Sequence, residues 1–246
     1  MKREAHGFGR GRMPPWGIVD AVLNLGRQDY GQTLEFQRIL VDLRNQGRIG
    51  DALIFVEHTD TSTAGIHRDE GAILDPGIPV IYVERGGAYT FHGPGQVIVY
   101  FIVNMKERKI NIRDLIILAQ NSVISVLSEY GIRAEGRLNK ETGVWVNERK
   151  ICSIGFAIRE FSSFHGIALN VSTDLKKFYS IMPCGFDAAI MTNVDKETGS
   201  NIGTEEVRAK LESALIAAMK IKEYKKYSKM SEFLQELNVQ WSGIVP

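Results

Sequence analysis

The chain has 246 residues, of which 44% are hydrophobic and 24% charged, and this composition is ordinary for a globular protein. Its 30 Lys and Arg residues against 29 Asp and Glu leave a formal net charge of +1, which argues against a nucleic-acid partner because such proteins carry a basic excess or stripe. The sequence has no run of 18 apolar residues, so no membrane span is expected. Two cysteines fit a reducing compartment, the cytoplasm, better than a disulfide framework.

The N-terminus, residues 1–19, is basic and glycine-rich but lacks the apolar core of a secretory signal. We therefore predict a flexible arm there. No linker, internal repeat or low-complexity segment follows it. Residues 20–246 are predicted to form a single domain, which at this size can bury a core without a disulfide or a metal.

The first helix has clear start and stop signals. Asp29 and Gln32 have the spacing of a capping box, which satisfies free backbone amides at a helix start. Gly47 has the position of a left-handed cap at the other end. The apolar stripe between them consists of Phe36, Ile39, Leu40 and Leu43.

In the rest of the chain, single helices flank groups of strands. Helices are predicted over 111–130, 204–222 and 231–237, so the basic run at 220–229 is interpreted as a solvated helix face. Because helices flank groups of strands rather than alternate strictly with them, we predict an α+β fold with a mixed β-sheet. The predicted strands, each bounded by turn residues, cover 52–57, 80–84, 96–103, 143–146, 150–159 and 166–171.

A glycine-rich stretch lies between two of these strands. Residues 85–96 hold four glycines and a proline, and glycine lets backbone approach a ligand closely. Arg85 and His92 can offer hydrogen-bond donors there, although a glycine-rich hairpin with incidental polar residues explains the composition equally well. The spacing fits neither a phosphate-binding loop nor a dinucleotide fingerprint.

The two cysteines lie in different contexts. Cys152 lies in an apolar strand headed by Lys150, where an inert buried thiol and a solvated surface lysine are the ordinary interpretations. Cys184 lies between Pro183 and Gly185, in a turn, where nucleophiles tend to be found. A nearby ammonium would favour its thiolate, the reactive form. A turn cysteine without a role remains the alternative.

The histidines do not have the spacing of metal ligands, and there is no Cys-x-x-Cys motif. No metal and no cofactor is therefore expected. His92 and His165 each precede a glycine beside a strand, so they either line a pocket or are structural. The five histidines are His6, His58, His67, His92 and His165.

These segments together resemble the lipoyl(octanoyl) transferase family, in family order over residues 25–185. Any one of these short segments is weak evidence for the family, whereas the whole set in this order is strong evidence. The matching segments are LGRQDY at 25–30, RGG at 85–87 with Thr90, HGPGQ at 92–96, GVWV at 143–146, Lys150-Ile151, Ile154-Gly155, HGIALNV at 165–171 and PCG at 183–185.

The resemblance implies a biotin/lipoate protein ligase-like fold and a catalytic domain over 20–246. It also implies a catalytic pair, Cys184 and Lys150, beside an acyl pocket. The implied pocket residues are Arg85, Gly86, Gly87, Ala88, Tyr89, Thr90, Phe91, His92, Ser153, Ile154, Gly155, His165, Gly166, Ile167 and Ala168.

The resemblance further implies the reaction. Cys184 takes an octanoyl group from octanoyl-acyl carrier protein as a thioester and passes it to a lysine of a lipoyl domain. The implied acceptors are the E2 subunits of 2-oxoacid dehydrogenases and the H protein of glycine cleavage. Phe91 stands where the family more often has tyrosine, which leaves chain-length preference open.

Two alternatives remain from sequence. The first is an ATP-dependent lipoate-protein ligase, which shares the fold and needs no nucleophilic cysteine. The GRGR run at 9–12 is weakly similar to a ligase glycine loop, but it precedes the domain and has no strand context. The second is a non-catalytic binder of lipids or carrier proteins that kept the pocket.

Overall fold

The structure is a computed structural model that describes residues 19–67, 80–180 and 188–241. Within these ranges, strands form two β-sheets. The strands are β1 (Asp20–Gln28), β2 (Ala52–His58), β3 (Thr61–Ala64), β4 (Val80–Tyr82), β5 (Tyr89–His92), β6 (Gln96–Ile102), β7 (Glu135–Arg137), β8 (Gly143–Val146), β9 (Arg149–Arg159), β10 (Ser162–Asn170) and β11 (Tyr224–Tyr227).

The described chain also contains α-helices and short 3-10 helices. The 3-10 helices cover Asn139–Glu141, Leu175–Ser180 and Ala188–Ile190. The α-helices are α1 (Tyr30–Asn45), α2 (Met105–Arg108), α3 (Ile112–Glu129), α4 (Val194–Thr198), α5 (Thr204–Ala218) and α6 (Met230–Glu236).

The larger sheet is mixed, with the strand order β11-β1-β2-β6-β10-β9-β8-β7. The pairs β11–β1 and β1–β2 are parallel. The other neighbouring pairs, β2–β6, β6–β10, β10–β9, β9–β8 and β8–β7, are antiparallel. The smaller sheet has the order β4-β3-β5. This architecture confirms the predicted mixed-sheet α+β fold.

Helices cover both faces of the larger sheet. One face packs against α3 and α5, and its strands contribute Val99, Phe101 and Cys152 to the contact. The other face packs against α1 and α6, with Ile98 and Phe164 among the buried strand residues. Alternate residues of a strand point to opposite faces, so each central strand supplies both cores.

The ends of α1 follow the predicted signals. The Asp29 carboxylate accepts a hydrogen bond from the Gln32 backbone N–H at 2.9 Å, which is the expected N-cap contact. Gly47, just after the helix, has φ +67° and donates its N–H to the Arg44 carbonyl. Both ends of the helix that carries Tyr30 and Gln37 are therefore fixed by local contacts.

The C-terminal segment differs from the prediction. The helix predicted through residue 222 ends at Ala218, and the basic run does not form a helix face. Instead, Tyr224–Tyr227 forms β11, the edge strand beside β1, with Asp20 opposite Tyr224. Lysines on an edge strand discourage pairing with another chain, so the charges are compatible with this position.

Candidate active site

A β-bulge turns the side chain of Lys150 away from the core. In the antiparallel β8–β9 pair, Trp145 lies opposite Lys150 and Val144 lies opposite Cys152, so Ile151 is an extra residue on β9. Directly opposed residues point to one face of a sheet, and an extra residue shifts the alternation. Lys150 therefore shares a face with Trp145, whereas Ile151 and Cys152 pack with Val144 under α3.

Lys150 is buried rather than a solvated surface lysine, because only 3% of the residue is exposed. Its Nζ lies 5.6 Å from the centre of the Trp145 ring. Among the described residues, no carboxylate forms an ion pair with this amine. Burying an amine without an acidic partner lowers the free energy of unfolding, so it does not serve stability. Such burial is a frequent feature of functional lysines.

Cys152 is the inert buried thiol predicted from the sequence. It is fully buried. Burial raises the pKa of its thiol to about 12, although the positive charge of Lys150 acts in the opposite direction. A thiol with this pKa is almost entirely protonated at neutral pH and is a poor nucleophile.

A cavity of about 450 Å³, counting the part that is open to solvent, lies beside Lys150. It lies between α1, β5, β6, β9, β10 and the loop that precedes β5. Its lining consists of Tyr30, Arg85, Gly86, Gly87, Thr90, His92, Tyr100, Lys150, Ser153, Ile154, Gly155, His165, Gly166, Ile167 and Ala168.

Glycines allow the loop that precedes β5 to lie directly on β9. The Gly86 N–H donates to the Phe156 carbonyl at 3.0 Å. A Cβ at Gly155 would lie 3.1 Å from the Gly86 carbonyl oxygen, closer than most real contacts of this kind. Arg85 fixes the same loop to β3, because its Nη2 donates to the Thr63 carbonyl at 3.0 Å and to the Thr63 hydroxyl at 2.8 Å.

Tyr30 and Tyr100 line the cavity, and the ring of His58 packs against both of them. His58 Nδ1 lies 2.8 Å from the Gln28 carbonyl oxygen, which can only accept, so Nδ1 is the donor. His58 Nε2, 2.7 Å from Tyr100 Oη, then accepts from the Tyr100 hydroxyl. Tyr30 packs on the same imidazole, with ring centroids 5.0 Å apart. Burial lowers the pKa of His58 to about 4, so the imidazole is neutral, as these two hydrogen bonds require.

His92 and His165 add two further buried imidazoles. The His92 ring stacks on Tyr30 with centroids 5.5 Å apart, and burial lowers its pKa well below the usual value. His165 has φ +59°, and its backbone N–H donates to the Gln37 side chain at 2.9 Å. A positive φ at a non-glycine residue is uncommon and marks a conformation held by its surroundings. Here it accompanies a ring that stacks on Phe164 and lines the cavity.

Comparison with known proteins identifies the family. Residues 29–216 match the model described as lipoyl protein ligase A/B catalytic domain. A Picrophilus torridus protein described as probable octanoyltransferase 2 is 49% identical over 209 residues, which are 84% of this chain and 82% of that protein. An octanoyltransferase of Klebsiella pneumoniae is 38% identical over 199 residues, which are 80% and 92% of the two chains. This chain belongs to the lipoyl protein ligase A/B catalytic-domain family.

Membership in the lipoyl protein ligase A/B family confirms the resemblance seen in the sequence. The chain is an enzyme of the acyltransferase class. In the part of the chain that the structure describes, no helix is long and apolar enough to cross a membrane. The same residues contain no cluster of three or more His, Cys, Asp or Glu side chains placed to hold a metal ion.

Solved structures share the fold of this lipoyl protein ligase A/B domain. A lipoate-protein ligase A bound with ATP has a TM-score of 0.72 at 19% identity, over 88% of this chain and 92% of that chain. A bipartite lipoate protein ligase from Thermoplasma acidophilum has a TM-score of 0.67 at 16% identity, over 88% and 90%. These likenesses concern the fold, and they confirm the predicted lipoate-ligase-like architecture.

The structure brings most of the predicted pocket residues of this family member to one cavity, with three exceptions. Tyr89 and Phe91 pack with Phe178 in a separate small core, and Ala88 packs against that core. Thr90 and His92, which alternate with Tyr89 and Phe91 on β5, line the cavity instead. The sequence did not predict Tyr30 and Tyr100 as cavity residues, nor His58 as the residue that packs behind them. Tyr100 lies in an apolar strand, where its hydroxyl gives no local signal.

Cys184 lies outside the described residues, as do most of the predicted N-terminal arm and the last five residues. The described chain on both sides of this segment is anchored. Before it, Phe178 packs on Phe91 with ring centroids 5.5 Å apart. After it, Met191 forms a β-bridge with Lys150, and the Thr192 N–H donates to the Lys150 carbonyl at 3.0 Å.

The buried histidines predict acid sensitivity. The pKa of His58 is about 4 in the folded chain against an ordinary value of 6.5. Between pH 4 and pH 6.5, the imidazole is therefore protonated in the unfolded chain but neutral in the folded chain. Stability is then complete above pH 6.5 and falls as the pH decreases toward 4. Between pH 6.5 and 5, His58 alone should lower the free energy of unfolding by about 2 kcal/mol.

Urea unfolding of the wild type and of His58→Gln at pH 7 and pH 5 measures this effect. The variant is less stable at pH 7 but should lose about 2 kcal/mol less on acidification, because it lacks the titrating group. Equal losses in the two proteins would exclude His58 as a source of the pH dependence.

Proposed function

We propose that this chain transfers an octanoyl group from octanoyl-acyl carrier protein to a lysine of lipoyl domains, through a thioester on Cys184. The acceptors are the lipoyl domains of 2-oxoacid dehydrogenase E2 subunits and the H protein of glycine cleavage, in the cytoplasm. The names of the two octanoyltransferase relatives support the acyl group, and the name of the family supports a lipoyl-type acceptor.

The observation that carries this proposal is the buried amine at the cavity wall. Lys150 has no acidic partner among the described residues and lies beside a cavity whose lining includes the apolar side chains of Ile154 and Ile167. Met191, which forms a bridge with Lys150, follows Cys184 by seven positions. A segment of this length allows the sulfur and the amine to meet.

In the first half-reaction, the Lys150 ammonium stabilises the Cys184 thiolate. The thiolate attacks the thioester carbonyl of the carrier protein, and the carbon–sulfur bond to the carrier breaks. The departing carrier thiolate takes the proton of Lys150. The products are an octanoyl thioester on Cys184, a carrier thiol and a neutral Lys150, so charge and protons balance.

In the second half-reaction, the neutral Lys150 acts as a general base. The amine of the acceptor lysine attacks the Cys184 thioester, and Lys150 takes the proton that this amine loses. The new amide forms as the Cys184 thiolate leaves, which restores the starting ion pair. The amide is more stable than the thioester, so the second step drives the sequence forward.

ATP dependence tests this function against the ligase alternative. Purified enzyme, octanoyl-acyl carrier protein and an unmodified lipoyl domain should give octanoylated lipoyl domain without ATP. Free octanoate should give no product, with or without ATP. Product formed only from free octanoate and ATP would show a ligase, and no product under either condition would show a non-catalytic binder.

A further inference from the structure

We propose that Trp145 is a positioning residue that holds the Lys150 ammonium at the cavity wall. This inference rests on the proposed function, because that function gives Lys150 its role in proton transfer. Trp145 itself is not among the residues that line the cavity, so it acts through Lys150.

The contact follows from the bulge in β9. Because Ile151 is the extra residue, Lys150 lies directly opposite Trp145 and points to the same face. The Lys150 Nζ is 5.6 Å from the centre of the Trp145 ring, within the range of a cation–π interaction. Without the extra residue, Lys150 would share the face of Cys152 and enter the core under α3.

A glycine leaves the space in which the lysine lies. A Cβ at Gly143 would lie 2.6 Å from Lys150 Cε and 3.3 Å from its Nζ. The lysine stem therefore passes over Gly143, between β8 residues of the same face. The room over Gly143 and the ring of Trp145 together define one position for the amine.

Trp145 is fixed well enough to serve as a support. The residue is buried, and its indole Nε1 donates to the Glu141 carbonyl at 2.7 Å. The Arg137 guanidinium also lies over its ring, 4.8 Å from the centroid. A ring held by a backbone acceptor and by a second cation has little freedom to move when Lys150 changes charge.

An aromatic face suits a lysine that must both give up and regain a proton. It attracts the ammonium, because the face of the ring carries the negative end of the quadrupole. It carries no net charge, however, so it does not bind the proton as firmly as a buried carboxylate would. Trp145 thus fixes the position of the amine without fixing its charge state.

The contact can be tested by NMR without any catalytic assay. In wild-type enzyme labelled with ¹³C and ¹⁵N lysine, the Hε resonances of Lys150 should lie upfield of the other lysines because of the indole ring current. Lys150→Arg assigns these resonances. They should move to ordinary lysine positions in Trp145→Leu and stay upfield in Trp145→Phe. Ordinary lysine positions in the wild type would overturn the proposal.

Kinetics test the positioning role. We expect Trp145→Leu to lower kcat for octanoyl transfer about tenfold with KM for the carrier unchanged, because substrate does not touch Trp145. Like Trp145→Leu, Trp145→Phe loses the hydrogen bond to the Glu141 carbonyl, but it keeps an aromatic face. Its kcat should stay within about twofold of the wild type. Trp241→Leu makes the same change where the ring packs on Phe36, and it should leave kcat unchanged.

The outcomes separate this inference from the proposed function. If the Lys150 signal of the wild type is upfield but kcat is unchanged in Trp145→Leu, the contact between the two residues exists and the positioning role is overturned. Equal losses in Trp145→Leu and Trp145→Phe assign the effect to packing and also overturn it. Failure of the proposed function appears elsewhere, as full activity in Lys150→Gln.

Discussion

Replacing Lys150 by glutamine is expected to lower kcat/KM for octanoyl transfer by about 10²–10⁴-fold, the usual contribution of a general base. The amine is buried beside the cavity, and no described carboxylate or second lysine lies in the cavity wall to replace it. Both half-reactions should slow, because the proposed mechanism uses the charge of Lys150 in the first and its lone pair in the second. Steady-state transfer to a lipoyl domain gives the overall loss.

Single-turnover measurements divide this loss between the two steps. Lys150→Arg keeps a positive charge but does not release its proton at neutral pH. Loading of Cys184 should therefore be less impaired in Lys150→Arg than in Lys150→Gln, whereas transfer to the acceptor amine should be slow in both. Lys196→Gln is the matched control, since Lys196 is exposed on α4. Activity of Lys150→Gln within about threefold of the wild type would be incompatible with the mechanism.

The second large effect is expected from narrowing the cavity. Ser153 lines it and lies opposite Ala168 and Gly143, so a larger side chain at this position points to the cavity face. Ser153→Leu should remove room for two or three methylene groups of the bound chain. At about 0.8 kcal/mol for each buried methylene, kcat/KM with octanoyl carrier protein should fall about 30-fold.

Shorter acyl donors provide the internal control for this variant. Butyryl carrier protein has four fewer methylene groups to accommodate, so its kcat/KM should fall much less than that of the octanoyl donor. The same replacement at the exposed Ser125 of α3 is the matched surface control. Equal losses for butyryl and octanoyl donors would show that Ser153→Leu damages the enzyme generally, and that the cavity does not hold the chain.

Local signals predicted both ends of α1 and the start of α3. Asp29 and Gly47 define the ends of α1, and Asn111 begins α3 with a complete capping box, because such contacts form within a few residues. The strand β11 could not be predicted in this way. Its position depends on pairing with Asp20 and its neighbours, some 200 positions earlier, and its Lys-rich sequence has no strand signal of its own.

The cavity was predictable only in part, for the same reason. Thr90 and His92 belong to segments that the family resemblance includes, so their sequence context marks them. The bulge at Ile151 has no sequence signature, yet it decides the face to which Lys150 points. The hydrogen bond between Tyr100 and His58 likewise joins β6 and β2, and no single segment carries it.

Intact mass spectrometry of the enzyme after incubation with octanoyl-acyl carrier protein, in the absence of acceptor, tests the thioester on Cys184 most directly. The wild type should gain the mass of one octanoyl group. Cys152→Ala should gain the same mass, because the pKa of the buried Cys152 thiol is raised to about 12 and it does not react. Cys184→Ala should gain none. An unmodified wild type under conditions of turnover, or an adduct that persists in Cys184→Ala, would contradict the proposed mechanism.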